Sequence, residues 1–335
     1  MENNMRKRDV VALGELLIDF TESGLDDRGI KDFGANPGGA PCNVLAMLHN
    51  LGHEVTFIGK VGNDIFGKML ESMAASAGID MSGLVKSDEY KTTLAVVANT
   101  ETGERDFSFY RDNGADAMIS VEDIKPELIR EAKVFHFGTL SMTNSVCEEA
   151  TKYAVGIAKE AGCMITFDPN YRAPLWESEE KAKEKIAWGL SACDVVKISD
   201  NEITLMTGET DYKKGAKLLM EKYDIPVVFA TLGPDGSMAF YKDTEASAKG
   251  FINPATIETT GAGDTFCACA IGKLLELHEG CAEWNKQNVF DGITSAGLKE
   301  LLTYANAAAS IITTRKGALC VMPTKEEVDK FLASK

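Results

Sequence analysis

Along this chain, short runs of consecutive apolar residues alternate with longer stretches whose apolar positions recur every three or four residues. The runs are VVALGE (10–15), EVTFIGKVG (54–62), KVFHFG (133–138), CMITFDPN (163–170), DVVKIS (194–199) and PVVFATLG (226–233). Their near-continuous apolar character predicts strands buried on both faces. APCNVLAMLHNLG (40–52) and IFGKMLESMAASAG (65–78) read as helices, each stopped by a glycine. Strands alternating with helices predict a mostly parallel sheet covered on both faces, with ligands gathering beyond the carboxyl ends of its strands.

Two segments break the rhythm. TTLAVVAN (92–99), the turn TETG (100–103) and RDFSFYR (105–111) predict an antiparallel hairpin with alternating faces. Residues 16–35 form a similar polar, glycine-punctuated excursion. Together they predict a small projecting sheet, either an edge decoration or a cover over a substrate pocket. No linker, repeat or low-complexity tract divides the 335 residues, so one domain spanning 1–335 is expected, with the small sheet drawn from about 16–35 and 91–111.

Charge narrows the partners. With 35 Lys+Arg against 51 Asp+Glu the net charge is −16, which disfavours binding to a phosphate backbone and excludes a nucleic-acid role. No apolar stretch is long enough to span a bilayer, and MENNMRKRDV holds no signal-peptide core, so a cytoplasmic protein is expected. The eight cysteines (42, 147, 163, 193, 267, 269, 281 and 320) are scattered with no CxxC, as reduced thiols would be. His49 and His53 have helix-like spacing, but Gly52 lies between them and no third ligand is near, so no metal site is expected there.

The strongest local feature is ETTGAGDTFCACAIGKLLELH (258–278), where Gly261, Ala262, Gly263 and Asp264 sit at the start of an apolar helix. Such a turn can hold the charge of a transferring phosphoryl group, with Asp264 accepting a proton from an attacking hydroxyl. Equally, the glycines can serve the turn and Asp264 the first helical turn. In NPGGAPCNVLAMLHNLG (36–52), Gly38 and Gly39 precede a helix and Asn43 lies one turn in, an arrangement suited to a polyhydroxylated ligand or to a tight loop. In FDPNYRAPLW (167–176), Asp168 and Asn170 read as turn formers, while Arg172 and, at the hairpin end, Arg111 are candidate phosphate or sugar contacts. Gly62–Lys68 imitates a P-loop, but Met69 stands where a magnesium-binding hydroxyl is needed and Asp64 would sit inside the phosphate cradle.

The two glycine motifs, in this order and separation, resemble the signatures of the ribokinase-like carbohydrate kinases, the PfkB family. The similarity runs from VVALGELLIDF to ITTRKGALCVMPT (312–324), and GELLIDF, GGAPCNV, FIGKVGNDIFG, FDPNYRAPLW, VVKISDNE and TLGPDGS are similar to its fructokinase branch. The resemblance implies a three-layer α/β/α sandwich with a small β-sheet lid. It also implies Asp264 as catalytic base and Gly261, Ala262 and Gly263 as anion hole. Asp19, Gly38, Gly39 and Asn43 fall on sugar-binding positions, with Arg111 and Arg172 as further contacts. Thr231, Gly233 and Gly236 match the nucleotide-side loop, and Asn306 falls near the adenine pocket. ATP, magnesium and a monovalent cation such as potassium are the implied co-substrate and ions, with no metal ligand assigned.

Departures are modest. The family's Asn-x-x-Glu element reads Ser199 to Glu202 here, so Glu202 alone carries over. Glu258 replaces the usual Asp before TTGAGD, near the expected monovalent-cation site, and Leu45 and Cys269 stand where small residues are usual. The implied activity is an ATP-dependent kinase making fructose 6-phosphate. Alternatives are 2-keto-3-deoxygluconate kinase, ribokinase and, in another class, a catalytically silent sugar-binding regulator. An exposed lid sheet also offers a surface on which two copies can pair.

Overall fold

The computed structural model describes residues 6–99, 105–278 and 283–335; the predicted turn TETG (100–103) and Cys281 lie outside them. Its strands are β1 (Arg8–Leu13), β2 (Leu17–Leu25), β3 (Lys31–Gly38), β4 (Val55–Gly62), β5 (Asp80–Ser87), β6 (Leu94–Asn99), β7 (Arg105–Tyr110), β8 (Ala132–Gly138), β9 (Met164–Asp168), β10 (Val195–Ser199), β11 (Val227–Thr231), β12 (Ser237–Tyr241) and β13 (Thr244–Ala248). Nine of them make one sheet in the order β13-β12-β11-β10-β9-β8-β1-β4-β5. All six apolar runs are strands of its parallel part, and β12 and β13 add an antiparallel edge.

Period-two alternation divides the strand side chains between two cores. Val10, Ala12, Val134, Val195 and Phe229 face the helices Ala40–Asn50, Ala262–Glu276 and Ser295–Ile312. Val11, Leu13, Phe135, Phe137, Val196 and Val228 face Ser145–Glu160, Glu179–Ala192 and Tyr212–Tyr223. Phe57, Phe135, Phe137 and Phe167 are wholly buried, each contributing about 1.5–3 kcal/mol. The result is the three-layer sandwich of the ribokinase-like fold. The six helices named here all lie between or beyond strands of the central sheet.

Both irregular segments enter a second sheet of order β3-β2-β6-β7. β2 pairs antiparallel with β3 but parallel with β6, through Ile18 opposite Leu94. Two polar joints fix its root to the main body. Asp64 caps the helix Ile65–Ser76 through Gly67 N–H (2.9 Å) and also accepts from Thr92 N–H (2.9 Å) and Thr92 Oγ1 (2.8 Å). A β-carbon on Gly67 would lie 1.9 Å from the Gly62 carbonyl oxygen, so the glycines that imitate a P-loop serve this joint.

The second joint engages Arg111 within the protein. Its guanidinium is buried, donates from Nε to Asp116 (2.7 Å), and bonds the Leu140 carbonyl (2.9 Å) and the Thr143 hydroxyl. Asp116 also accepts from Thr93 Oγ1, so the carboxylate paired with Arg111 ties the chain before β6 to the chain after β7. A charge at a hairpin end looked free for a ligand, but its partner lay five residues further on. The described cysteines are free thiols, all buried except Cys320, and among the described residues no helix is long and apolar enough to cross a membrane.

Candidate active site

A cavity of about 850 Å³ opens at the carboxyl ends of β9, β10 and β11 and is bounded by residues of the small sheet. Asp19, Gly39, Asn43 and Arg172 line it, as do Gly261, Ala262, Gly263 and Asp264. So do Glu202, Thr231, Gly233, Gly236 and Asn306. Arg111 does not. Gly38 acts by what it lacks: a β-carbon there would lie 2.1 Å from Asp19 Oδ2. Gly39 caps the helix Ala40–Asn50 at φ 127°, a conformation open to glycine, with the Glu15 carbonyl 2.3 Å from where a β-carbon would stand.

The helix Ala262–Glu276 begins at Gly261, which is left-handed at φ 77° and pressed against Ala318. Thr265 donates to the Gly261 carbonyl from both its backbone N–H and its hydroxyl, each at 2.8 Å, which fixes the turn. The helix start favours an anion through its N–H groups and dipole. Asp264, in the first turn, accepts at Oδ2 from Asn43 Nδ2 (2.7 Å). Burial pushes Asp264 up to about 6, aided by Asp168 and opposed by Asn43, Lys197 and Arg172. The carbonyl oxygen Oδ1 of Asn43 is buried with no hydrogen-bond partner, so it is an acceptor awaiting a donor.

Further carboxyls border the same space. Burial raises Asp19 to about 6, with Glu258 and Asp264 adding to the effect and Arg172 opposing it. Burial raises Glu15 to about 7, although its Oε1 accepts from Ala40 N–H at 2.8 Å. Glu258 accepts from Gly317 N–H at 2.7 Å, tying its loop to the turn that backs Gly261.

On the other side, Glu202 accepts from Ser199 N–H and Tyr171 N–H, both at 2.8 Å, and Ser199 caps the helix Asp200–Thr207 in return. The serine in place of asparagine thus completes a reciprocal cap. Asn306 braces the wall: Oδ1 accepts from Ser237, and Nδ2 donates to the carbonyls of Ala248 and Lys249. Glu15 and Lys197 escaped the sequence reading, and Asp168 was read as a turn former. The signal present was a charged residue inside or just after a strand-like run, in VVALGE and DVVKIS.

No group of three or more His, Cys, Asp or Glu side chains able to hold a metal ion occurs among the described residues.

The chain is 36% identical over 332 residues to a probable fructokinase-2 of Arabidopsis thaliana, covering 98% of this chain and 97% of the relative. Among solved structures, the fructokinase of Xylella fastidiosa with bound ATP superposes with a TM-score of 0.88 at 29% identity, covering 98% of this chain and 99% of that one. A doubly substituted fructokinase of Vibrio cholerae O395, solved with fructose, ADP and potassium ion, gives 0.79 at 27% identity, covering 97% and 98%. The model for pfkB family carbohydrate kinases matches residues 7–325, and with this fold and this cavity the chain belongs to that family.

Proposed function

We propose that this chain transfers the γ-phosphoryl group of ATP to the 6-hydroxyl of D-fructose. The observation that carries the reading is Asp264, raised toward neutrality and held by Asn43 at the start of a glycine-led helix inside the cavity. Asp264 takes the hydroxyl proton as the sugar oxygen bonds to the γ-phosphorus. The bond from that phosphorus to the bridging oxygen breaks, and ADP leaves with the electron pair. Gly261, Ala262 and Gly263 hold the transferring group.

Asp19 and Asn43 bind sugar hydroxyls, with Gly38 and Gly39 giving them room. Thr231, Gly233 and Gly236 lie along ATP, and Asn306 supports the wall beside them. When bound with ATP, magnesium neutralises phosphate charge, and Glu202 and Asp200 are carboxylates on that side of the cavity. Potassium is proposed as an activating ion by likeness to the Vibrio cholerae enzyme. The small sheet acts as a lid that excludes water, a competing nucleophile. Phe33 and Tyr110, 38% and 67% exposed on that sheet, favour pairing of two copies, and the buried thiols suit a cytoplasmic setting.

A neutral ketohexose fits better than a sugar acid. With Arg111 bound to Asp116 and Lys197 bound to Asp168, Arg172 is the arginine left to meet a substrate carboxylate, and the carboxyls of Asp19 and Glu258 line the same cavity. ADP release, measured with fructose, ribose, 2-keto-3-deoxygluconate and no sugar, tests the assignment. Fructose is expected to give the highest kcat/KM, with phosphorus on O6 by NMR. A different preferred sugar replaces the substrate, and fructose binding without turnover points to the regulator.

A further inference from the structure

We propose that Lys197 is a positioning residue of the transfer site, its ammonium braced by Asp168 behind the Gly261–Gly263 turn, so that fixed positive charge faces Asp264 and the phosphoryl group from the sheet side. The proposal deepens the phosphotransfer reading and rests on it. Lys197 belongs to β10, whose other side chains are mostly apolar, yet it is 7% exposed and lines the cavity. Its Nζ donates to both oxygens of Asp168, at 3.2 and 3.1 Å. A β-carbon on Gly263 would lie 3.2 Å from that same Nζ, so the ammonium stands directly against the last residue of the turn.

A buried ion pair is a poor device for stability, since apolar residues of similar volume usually do as well or better. Its place suggests another use. Phosphoryl transfer gathers negative charge at this turn, and a cation already oriented in a water-poor site needs no reorganisation when that charge arrives. The groups facing Lys197 come from every neighbouring element: Asp168 on β9, Glu202 after β10, and Cys267 and Asp264 on the helix. Burial pushes the amine toward its neutral form, but Asp168 and then Glu202 outweigh this, so it stays cationic. His136 on β8, beside Thr166, is held down to about 3 by burial and by Lys197, and is neutral. Around Asp264, Asp168 pushes the acid toward protonation, while Lys197 and Arg172 favour its ionised form. Arg172 is solvent-exposed, so the buried lysine is the cation whose position is fixed.

The test uses the full chain as Lys197→Met and as Lys197→Met with Asp168→Asn, the second variant removing the carboxylate left unpaired by the first. Circular dichroism establishes folding. Steady-state kinetics with fructose and magnesium-ATP are then run across pH. The expected result is a loss of about 10²-fold or more in kcat, the worth of a preorganised charge, with the sugar KM within about threefold of wild type. The acid limb of kcat moves to higher pH in Lys197→Met. A folded double variant turning over within about threefold of wild type overturns the proposal, as does an unmoved acid limb in the single variant. An inactive wild type overturns the phosphotransfer reading and this inference together, whereas an active wild type with equally active variants overturns the inference alone.

Discussion

Asn43 and Asp264 are 221 positions apart in sequence, yet the side-chain nitrogen of one lies 2.7 Å from a carboxylate oxygen of the other. The Asn43 amide has a second arm, the unpartnered buried oxygen, and a sugar hydroxyl donating to it would join substrate and base through one side chain. Asp264→Asn is therefore expected to lower kcat by roughly 10²–10⁴-fold without unfolding the protein. Asn43→Ala should raise the sugar KM far more than the ATP KM, with kcat/KM for sugar falling about 10–100-fold. It also removes a bond that favours the ionised acid, so the acid limb should shift to higher pH than in the wild type. Initial-rate measurements at varied sugar, ATP and pH separate these effects.

Gly38→Ala tests the placement of Asp19 without touching its charge. The new β-carbon, built 2.1 Å from Asp19 Oδ2, forces that carboxylate away from its present position. The sugar KM should rise at least about tenfold, as for loss of a charged hydrogen bond, with the ATP KM little changed. Equal loss for both substrates would show that the whole strand end had moved.

Glu15 carries a stability prediction with a definite sign. Its acid is raised from 4.5 to about 7 by burial, so the folded state binds this proton more tightly than the unfolded state does. That advantage is fully present below pH 4.5 and is lost as pH rises through 7. Glu15→Gln keeps a carbonyl for Ala40 N–H but does not ionise. It should stabilise the protein by about 1–3 kcal/mol at pH 8 and by little at pH 4. Urea denaturation at both pH values checks this; a gain larger at pH 4 would contradict it.

Arg111 should report on folding rather than on sugar affinity. Arg111→Met leaves Asp116 buried without its cation, a loss of about 3–5 kcal/mol. Adding Asp116→Leu should restore much of it. Sugar KM rising with stability untouched would instead place the guanidinium at the substrate.

The central strands were legible because a strand buried on both faces has little choice but to be apolar. β5 and the β12–β13 edge were not, because DMSGLVKS and TEASA sit at the margins and mix buried with open positions. Asp264, Asn43 and Asp19 were reached through their motifs, and the cavity brings all three together. Lys197 and Glu15 needed the third dimension. Each is an acid or base at a strand-like run, and sequence shows the oddity without showing what stands opposite. Arg111 shows the reverse: its charge is plain in the sequence, while the pairing with Asp116, which Thr93 shares, is visible only in the fold.

The parallel pairing of β2 with β6 bears on how the molecule assembles. β2 and β3 emerge from the ribosome as a local hairpin, but β6 follows only after β4 and β5 have been made. Until then the β2 edge that will meet β6 stands bare, open to pairing with any other extended chain. The small sheet beside the cavity is thus a late, non-local product of folding and costs loop closure before its contacts repay it. A nascent chain stalled before Leu94 therefore carries an unpaired β2 edge that the finished fold covers.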